Sequence, residues 1–451
     1  MASDMGSLRV GLSKVDITPR VGVELMGYGA FLNRHSKAIG DRLFARALAA
    51  SDGENAVVMV SCDVVGVSAP LCQRAKQMVA AQTGVPEGSI LIHSIHTHSG
   101  PNSGFGIGWG DPDPPYLELL PTRIAAAATE ALAKLQPAGL RHAVVPCEGI
   151  GYDREREKRP DQLAVQDESW RPASADTTDT EAHVLRFDGA GGMLGFASYF
   201  SCHPVIGSES SAYIHGDYPG VATNWLERLH LGSVGLFMQG CHGNINTCNV
   251  HQPEQDSLLA VDVVAGRYAR QIAPGLAGAS AATATPVRGL RALPNLKRQE
   301  LSRGKVEELL AGYLEKARRP GASDADPEVR LAMVYALGLR LELERIAAAE
   351  PYVTPVEVQA LRLGDLVIVG APFEIYHRYK RRVQAAFEQP TLVLSLCNGD
   401  WGYAPEKECY SREGNYAANM VPYLTGTRPF TPELEDDLVG ALIELVREIR
   451  H

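Results

Sequence analysis

The sequence predicts an α/β fold of layered mixed sheets in a single catalytic domain, and three observations carry that expectation. First, six apolar runs of strand length recur along the chain: AVVMVSC (56–62), SILIHS (89–94), MLGFASYF (193–200), VGLFMQG (234–240), LVIVGAPF (366–373) and TLVLSLCN (391–398). They are rich in Val, Ile, Leu and Phe with little alternation, the pattern of strands buried on both faces. Second, helical patterns lie between several of them, which is the alternation of an α/β protein. Third, five of the runs lead straight into a polar cluster (Cys62-Asp63, His93 to His98, Cys202-His203, Gly240 to Asn246, Asn398 to Tyr403), and the sixth leads into Glu374. In α/β sheets reactive residues gather where strands end and loops begin.

The helices follow from spacing and end signals. Tyr116 to Leu135 is Ala-rich, with apolar residues three and four apart, and Asp113 and two prolines precede it. A polar, Glu/Arg/Lys-rich zone at about 296–350 reads as a helical insertion broken by RRPGASDADPE. TPELEDDLVGALIELVREIRH reads as a closing helix. No repeat or low-complexity tract interrupts the chain, so one catalytic domain over 9–451 is expected.

Composition narrows the function classes. The chain has 451 residues, 45% hydrophobic and 21% charged, with a net charge of −10. A pI near 5.8 argues against nucleic acid or an anionic membrane as the main partner. The longest apolar runs fall far short of a bilayer span, and MASDMGSLRV has no apolar core of signal-peptide length. A cytoplasmic protein without a stable membrane anchor, acting on a small molecule, is the expectation. The eight cysteines form no CxxC pair and sit in or beside apolar runs, so they read as buried, reduced thiols.

The stretch HSIHTHSGP (93–101) carries three of the 13 histidines. If the strand continues through His96 and His98, both project from one face, roughly 7 Å apart at the extended rise. His93, at odd separation, reads as structural. His203 in SYFSCHPV reads as a packed histidine or a ligand. Glu374 complements a helix N-terminus or binds metal, and Tyr403 is a packed loop aromatic or a site residue.

Together these segments resemble a known family. VGLSKVDITPRVGVELMGYG (10–29), HTHSGP (96–101), CHPV (202–205), QGCHGNIN (239–246), APFE (371–374) and NGDWGY (398–403) follow in the order of the neutral ceramidase-type hydrolases. The likeness is to their N-terminal catalytic domain. It implies one Zn²⁺ per chain, held by His96, His203, Glu374 and Tyr403. Two imidazoles and a carboxylate are an ordinary hydrolytic zinc set with room for water, whereas a phenol, with a pKa near 10, makes Tyr403 a switchable ligand able to donate a proton. The resemblance makes His98 an oxyanion donor or proton carrier and Arg154 a group that binds the substrate carbonyl or a polar head. Tyr410 and Tyr416 would line the pocket. Asp63 and Asp217, at element ends, are expected to hold ligand histidines in their tautomer. The Gly- and aromatic-rich stretch 103–116 is expected to shape the pocket.

Departures from the family shift the expected chemistry. Where ceramidases carry an aspartate and an essential serine, this chain has Asn244 and Asn246 in GNINT. An amide cannot be the nucleophile, but it can donate an oxyanion hydrogen bond, so metal-activated water is the expected nucleophile. His242 is an extra imidazole, read with Asn244 as substrate-binding. A catalytic domain without the C-terminal β-sandwich of full-length ceramidases is the expectation. The expectation is a zinc-dependent hydrolase cleaving a carboxamide C–N bond of a soluble small molecule. An ester or lactone hydrolase, a true ceramide or N-acyl-lipid amidase, and a non-catalytic metal-containing binding protein remain alternatives.

Overall fold

A computed structural model describes residues 8–158 and 164–451. Three mixed sheets organise the chain, and each follows the same plan. In the first, β1 (Arg9–Asp16), β2 (Phe44–Ser51) and β3 (Ala56–Cys62) form an antiparallel meander, and β4 (Ile90–Ser94) adds parallel to β3. In the second, β5 (Gly139–Pro146), β6 (Glu181–Gly189) and β7 (Gly192–Phe200) form the meander, with β8 (Val234–Gln239) parallel to β7. In the third, β9 (Val287–Ala292), β10 (Val358–Leu363) and β11 (Leu366–Gly370) precede β12 (Thr391–Leu394), parallel to β11.

Each parallel pair needs a crossover, and a helix supplies it every time. These are α1 (Ala69–Thr83), α3 (Asp217–Leu229) and α7 (His377–Gln384). A second helix covers each sheet beside its crossover helix: α2 (Pro114–Ala133), α4 (Glu254–Gly278) and α8 (Leu434–Arg450). Between α4 and α7, a two-stranded ribbon (Asn295–Lys297 with Val353–Pro355) carries the hairpin of α5 (Arg303–Ala317) and α6 (Pro327–Ala347).

The core explains why the six runs read as continuously apolar. Residues alternate along each strand, and both faces are buried. One face of every sheet points into a shared central core: Val57 and Met59 of β3, Leu236 and Met238 of β8, and Leu366 and Ile368 of β11 meet there. The intervening residues, such as Val58, Phe237 and Val367, face each sheet's own helices. All six expected strands are present, as are the helices expected near 116–135, within 296–350 and at the C-terminal end. The first two strands of each meander are additional to those runs. All eight cysteines are buried and unpaired. Among the described residues no helix is long and apolar enough to cross a membrane.

A candidate metal centre at three strand ends

The carboxyl ends of the three parallel pairs meet at one place. The first unit brings His96 and His98 from beyond β4. The second brings His203 from beyond β7 and His242 from beyond β8. The third brings Glu374 from beyond β11 and Asp400 and Tyr403 from beyond β12. One ligand atom from each of His96, His203, His242 and Glu374 lies within 4.8 Å of all the others, and all four residues are buried.

The tautomers of the three imidazoles are fixed by backbone carbonyls, which only accept hydrogen bonds. His96 Nδ1 donates to the Val65 carbonyl at 2.6 Å, His203 Nδ1 to the His242 carbonyl at 2.8 Å, and His242 Nδ1 to the Gly240 carbonyl at 3.1 Å. In the neutral imidazoles each Nε2 is therefore left with a lone pair, and, despite burial, the Glu374 carboxylate raises His96 above its ordinary value. All three face Glu374 Oε2, at 3.3 Å from His96, 2.9 Å from His203 and 3.9 Å from His242. Imidazole nitrogens gathered round a buried carboxylate at such distances form a cluster that could hold a cation. His242 Nε2 is buried and has no hydrogen-bond partner. Charges follow the same geometry. Burial favours a neutral Glu374, yet the imidazoles of His96 and His203 hold it well below the usual carboxylate range. Burial pushes His203 down to about 4. Burial and the adjacent imidazoles push His242 far below its ordinary value. The donor set fits a divalent transition metal: three imidazole nitrogens and one carboxylate.

His96 reaches this position by a route other than a continued strand. β4 ends at Ser94, and His96 adopts a left-handed backbone with φ of 73°. The turn brings the rings of His96 and His98 to 4.7 Å between centroids, with Nε2 to Nε2 at 3.1 Å. When His96 Nε2 carries no proton, His98 donates its Nε2–H there. Burial and the neighbouring imidazoles push His98 well below its usual range, so it is a neutral donor. Gly27, at φ 114°, lets the opening GYG segment close on His98: a Cβ there would stand 2.4 Å from the imidazole Cγ. His93 is buried in the scaffold, its backbone bridged to Cys397.

Glu374 and Tyr403 are register partners in a short parallel ladder, so both project from adjoining strand ends. Tyr403 Oη accepts from Arg154 Nη2 at 2.9 Å, and the same nitrogen donates to the Gly243 carbonyl at 2.7 Å. Burial keeps the Tyr403 phenol protonated well above its ordinary value, although Arg154 pulls the other way. Arg154 Nη1 contacts Asn246 Oδ1 at 3.4 Å, leaving the Asn246 NH₂ as a donor. Asp400, absent from the expected site residues, lines the same cavity as His96, His98, Glu374, Tyr403 and Tyr416. Its Oδ1 accepts from the Gly402 N–H at 2.8 Å, and burial together with the Glu374 charge raises it to about 7. From the stretch 103–116, Phe105 and Trp109 form part of the cavity wall, as expected of a pocket-shaping loop.

Several expected roles are not what the geometry shows. Asp63 holds no ligand histidine; it is buried against the Arg46 guanidinium and accepts from the Phe44 N–H at 2.9 Å. An unpaired buried arginine is too costly to leave, so the carboxylate goes to it. Asp217 accepts from the N–H groups of Gly207 and Tyr218, both at 2.8 Å, and ties the loop after His203 to α3. The tautomer-fixing acceptors are carbonyls instead. Asn244 is not free for substrate: its Oδ1 accepts from the His377 N–H at 2.8 Å, while its side chain also bonds Asp153. Tyr410 packs against the core of the third sheet. His242 stands among the candidate ligands rather than at a substrate.

The sequence matches, over residues 8–245, the family described as neutral/alkaline non-lysosomal ceramidase, N-terminal. That span is more than half of the chain. The chain belongs to this ceramidase family. The fold agrees with solved ceramidases: it superposes on the neutral ceramidase from Pseudomonas aeruginosa with a TM-score of 0.74 at 21% identity, covering 99% of this chain and 75% of that one. A ceramidase complexed with C2 gives a TM-score of 0.71 at 20% identity, again covering 99% and 75%. At such identities the likeness speaks for the ceramidase fold. The hydrolase class comes from the family, and the buried His₃Glu cluster could hold a metal ion.

Proposed function

We propose that the chain is a zinc-dependent hydrolase that cleaves the carboxamide C–N bond of a small N-acyl substrate. The observation that carries the reading is the convergence of three Nε2 lone pairs, each fixed by a backbone carbonyl, on Glu374. Membership in a ceramidase family supports an amide as the scissile group. His96, His203, His242 and Glu374 would hold the metal. Tyr403 keeps its hydroxyl on Arg154 and belongs to the substrate side of the site.

A divalent zinc ion bound there supplies Lewis-acid polarisation of a carbonyl and a bound water acidic enough to ionise near neutral pH. The protein's own groups do the rest. With His96 Nε2 engaged, the His98 Nε2–H turns to a substrate oxygen and stabilises charge developing on it. The Tyr403 phenol, kept protonated, is a second donor, and Arg154 fixes its direction. Asn246, anchored through Oδ1, offers its NH₂ where a serine nucleophile is missing. Asp400, held at Oδ1 and lining the cavity, is placed to accept a proton at its other oxygen and return it to the leaving nitrogen.

The test is turnover by stripped protein reloaded with Zn²⁺, using an amide and an ester that share one acyl group. Zinc-dependent release of the amine from the amide, lost in His203→Ala, is expected. Hydrolysis of the ester alone would move the assignment to an esterase or lactonase. Full zinc loading with no turnover of either would favour the binding-protein reading.

A further inference from the structure

The cavity at the candidate ligands has only about 60 Å³ of room. That is far less than a drug-sized ligand needs, so the bulk of a substrate lies outside it. A second cavity of about 880 Å³ adjoins it, between the α5–α6 hairpin and residues 413–423. That is the size of a small-molecule cleft. Tyr416 lines both cavities. The residue is 43% exposed, and its ring packs at 6.0 Å between centroids on Tyr403. The two spaces therefore share one wall, and that wall touches the proposed substrate side.

The chemistry of the large cleft is specific. Four tyrosines line it: Tyr313 of α5, Tyr335 of α6, Tyr416 and Tyr423. Tyr313 and Tyr335 lie 5.2 Å apart between centroids, and the Tyr313 hydroxyl sits 3.7 Å from the Met420 sulfur. Charged groups sit at its margin: Arg319 pairs with Asp326 and, at 3.2 Å, with Glu328, the Lys316 ammonium lies 5.2 Å over the Tyr313 ring, and Glu413 also lines the cleft. Ring faces, hydroxyl edges and a thioether favour a flat, uncharged aromatic group, which stacks on rings and meets sulfur at its edge. A narrow, wholly aliphatic channel, which would suit an extended alkyl chain, is not what these walls make.

We propose that the cleft beneath the α5–α6 hairpin is the subsite for an aryl arm of the substrate, and that Tyr416 forms the passage between it and the metal cavity. The proposal rests on the amidohydrolase reading for the identity of its occupant, so its test separates the two. Three carboxylates with one headgroup serve as probes on the zinc-loaded protein, by calorimetry: acetate, decanoate and 4-phenylbutyrate. 4-Phenylbutyrate is expected to bind at least about tenfold more tightly than acetate, and more tightly than decanoate, a difference of the size that pocket complementarity supplies. Leu331→Trp, which fills the cleft from α6, is expected to erase the advantage and leave acetate binding as it was. Leu309→Trp repeats the test from α5 should the first variant fold poorly.

If 4-phenylbutyrate binds no better than acetate, or its advantage survives both variants, the cleft is not the arm's subsite. Tighter binding of decanoate would replace the aryl arm by a lipid chain and overturn the proposal. Chelation of the metal is expected to weaken all three probes together. If it weakens none while the aryl advantage stands, the metal reading fails and the cleft assignment holds.

Discussion

The two halves of the site are made by different means. The candidate metal ligands come from the ends of buried strands in three separate sheets, and each ligand ring is oriented by a backbone carbonyl. The adjoining cleft comes from a helical hairpin and the short helical segment around 416–424, outside those sheets, and among the described residues no strand end lines it. Ligand positions are thus tied to the central core, where β3, β8 and β11 meet. The cleft is tied to the packing of α5 and α6 on a separate cluster that includes Met26, Val65 and Trp109 of the metal cavity's wall. A chain can alter the second without disturbing the first, which is how one fold carries one chemistry to different substrates.

That contrast breaks most visibly at the ligands. Glu374→Ala removes the group on which three imidazoles converge, and metal affinity is expected to fall by more than about 100-fold, beyond the cost of losing an outer partner. Competition with a fluorescent chelator measures it. A smaller fall would mean that the imidazoles alone define the site.

Stability should separate the regions next. Helix α7 follows Glu374 and is clamped by a buried cluster in which Asp179 Oδ1 meets Lys380 Nζ at 2.5 Å and His377 Nε2 at 2.8 Å. Lys380→Met leaves the carboxylate short of charge and is expected to destabilise the fold by about 3–5 kcal/mol. The Lys380 and His377 charges hold Asp179 well below its unfolded pKa despite burial. A carboxylate depressed in the folded state contributes stability above its unfolded pKa, near 4, and loses it as pH falls further. Urea unfolding at pH 7, 4 and 3 is expected to show that loss in the native sequence and a flatter response in Asp179→Asn. An equal slope in both would remove the cluster from the account.

The cleft should respond least. Leu309→Ala, on a half-buried helix face, is expected to cost about 1 kcal/mol with metal content unchanged. A loss comparable to Lys380→Met would show that the hairpin supports the metal site after all.

Much of this was legible in the sequence, and the limits have physical causes. The six apolar runs announced strands buried on both faces, and HTHSGP and APFE announced His96 and Glu374 at strand ends. His242 was read as a substrate contact because its neighbours in space, His96 and His203, lie in other parts of the chain. Only the assembled strand ends bring them together. The Asp63 and Asp217 readings missed because carbonyls leave no mark in a sequence, while the buried Arg46 that claims Asp63 looks like any other arginine. The left-handed turn at His96 replaced an extended strand, so two-residue spacing placed His98 correctly for the wrong geometric reason. Asp400 lay in plain view within NGDWGY, as an acidic residue three positions before Tyr403. The three-fold repetition of meander, crossover helix and parallel strand leaves no repeat in the sequence, since it is a likeness of topology.

The central claim is that His242 completes a His₃Glu metal site while Tyr403 serves the substrate. Metal per chain, measured by mass spectrometry in protein purified without chelator, tests it most directly when set beside His242→Ala and Tyr403→Phe. The account predicts about one zinc per chain in the native protein and in Tyr403→Phe, with a large loss in His242→Ala. Full zinc in His242→Ala together with its loss in Tyr403→Phe would contradict it.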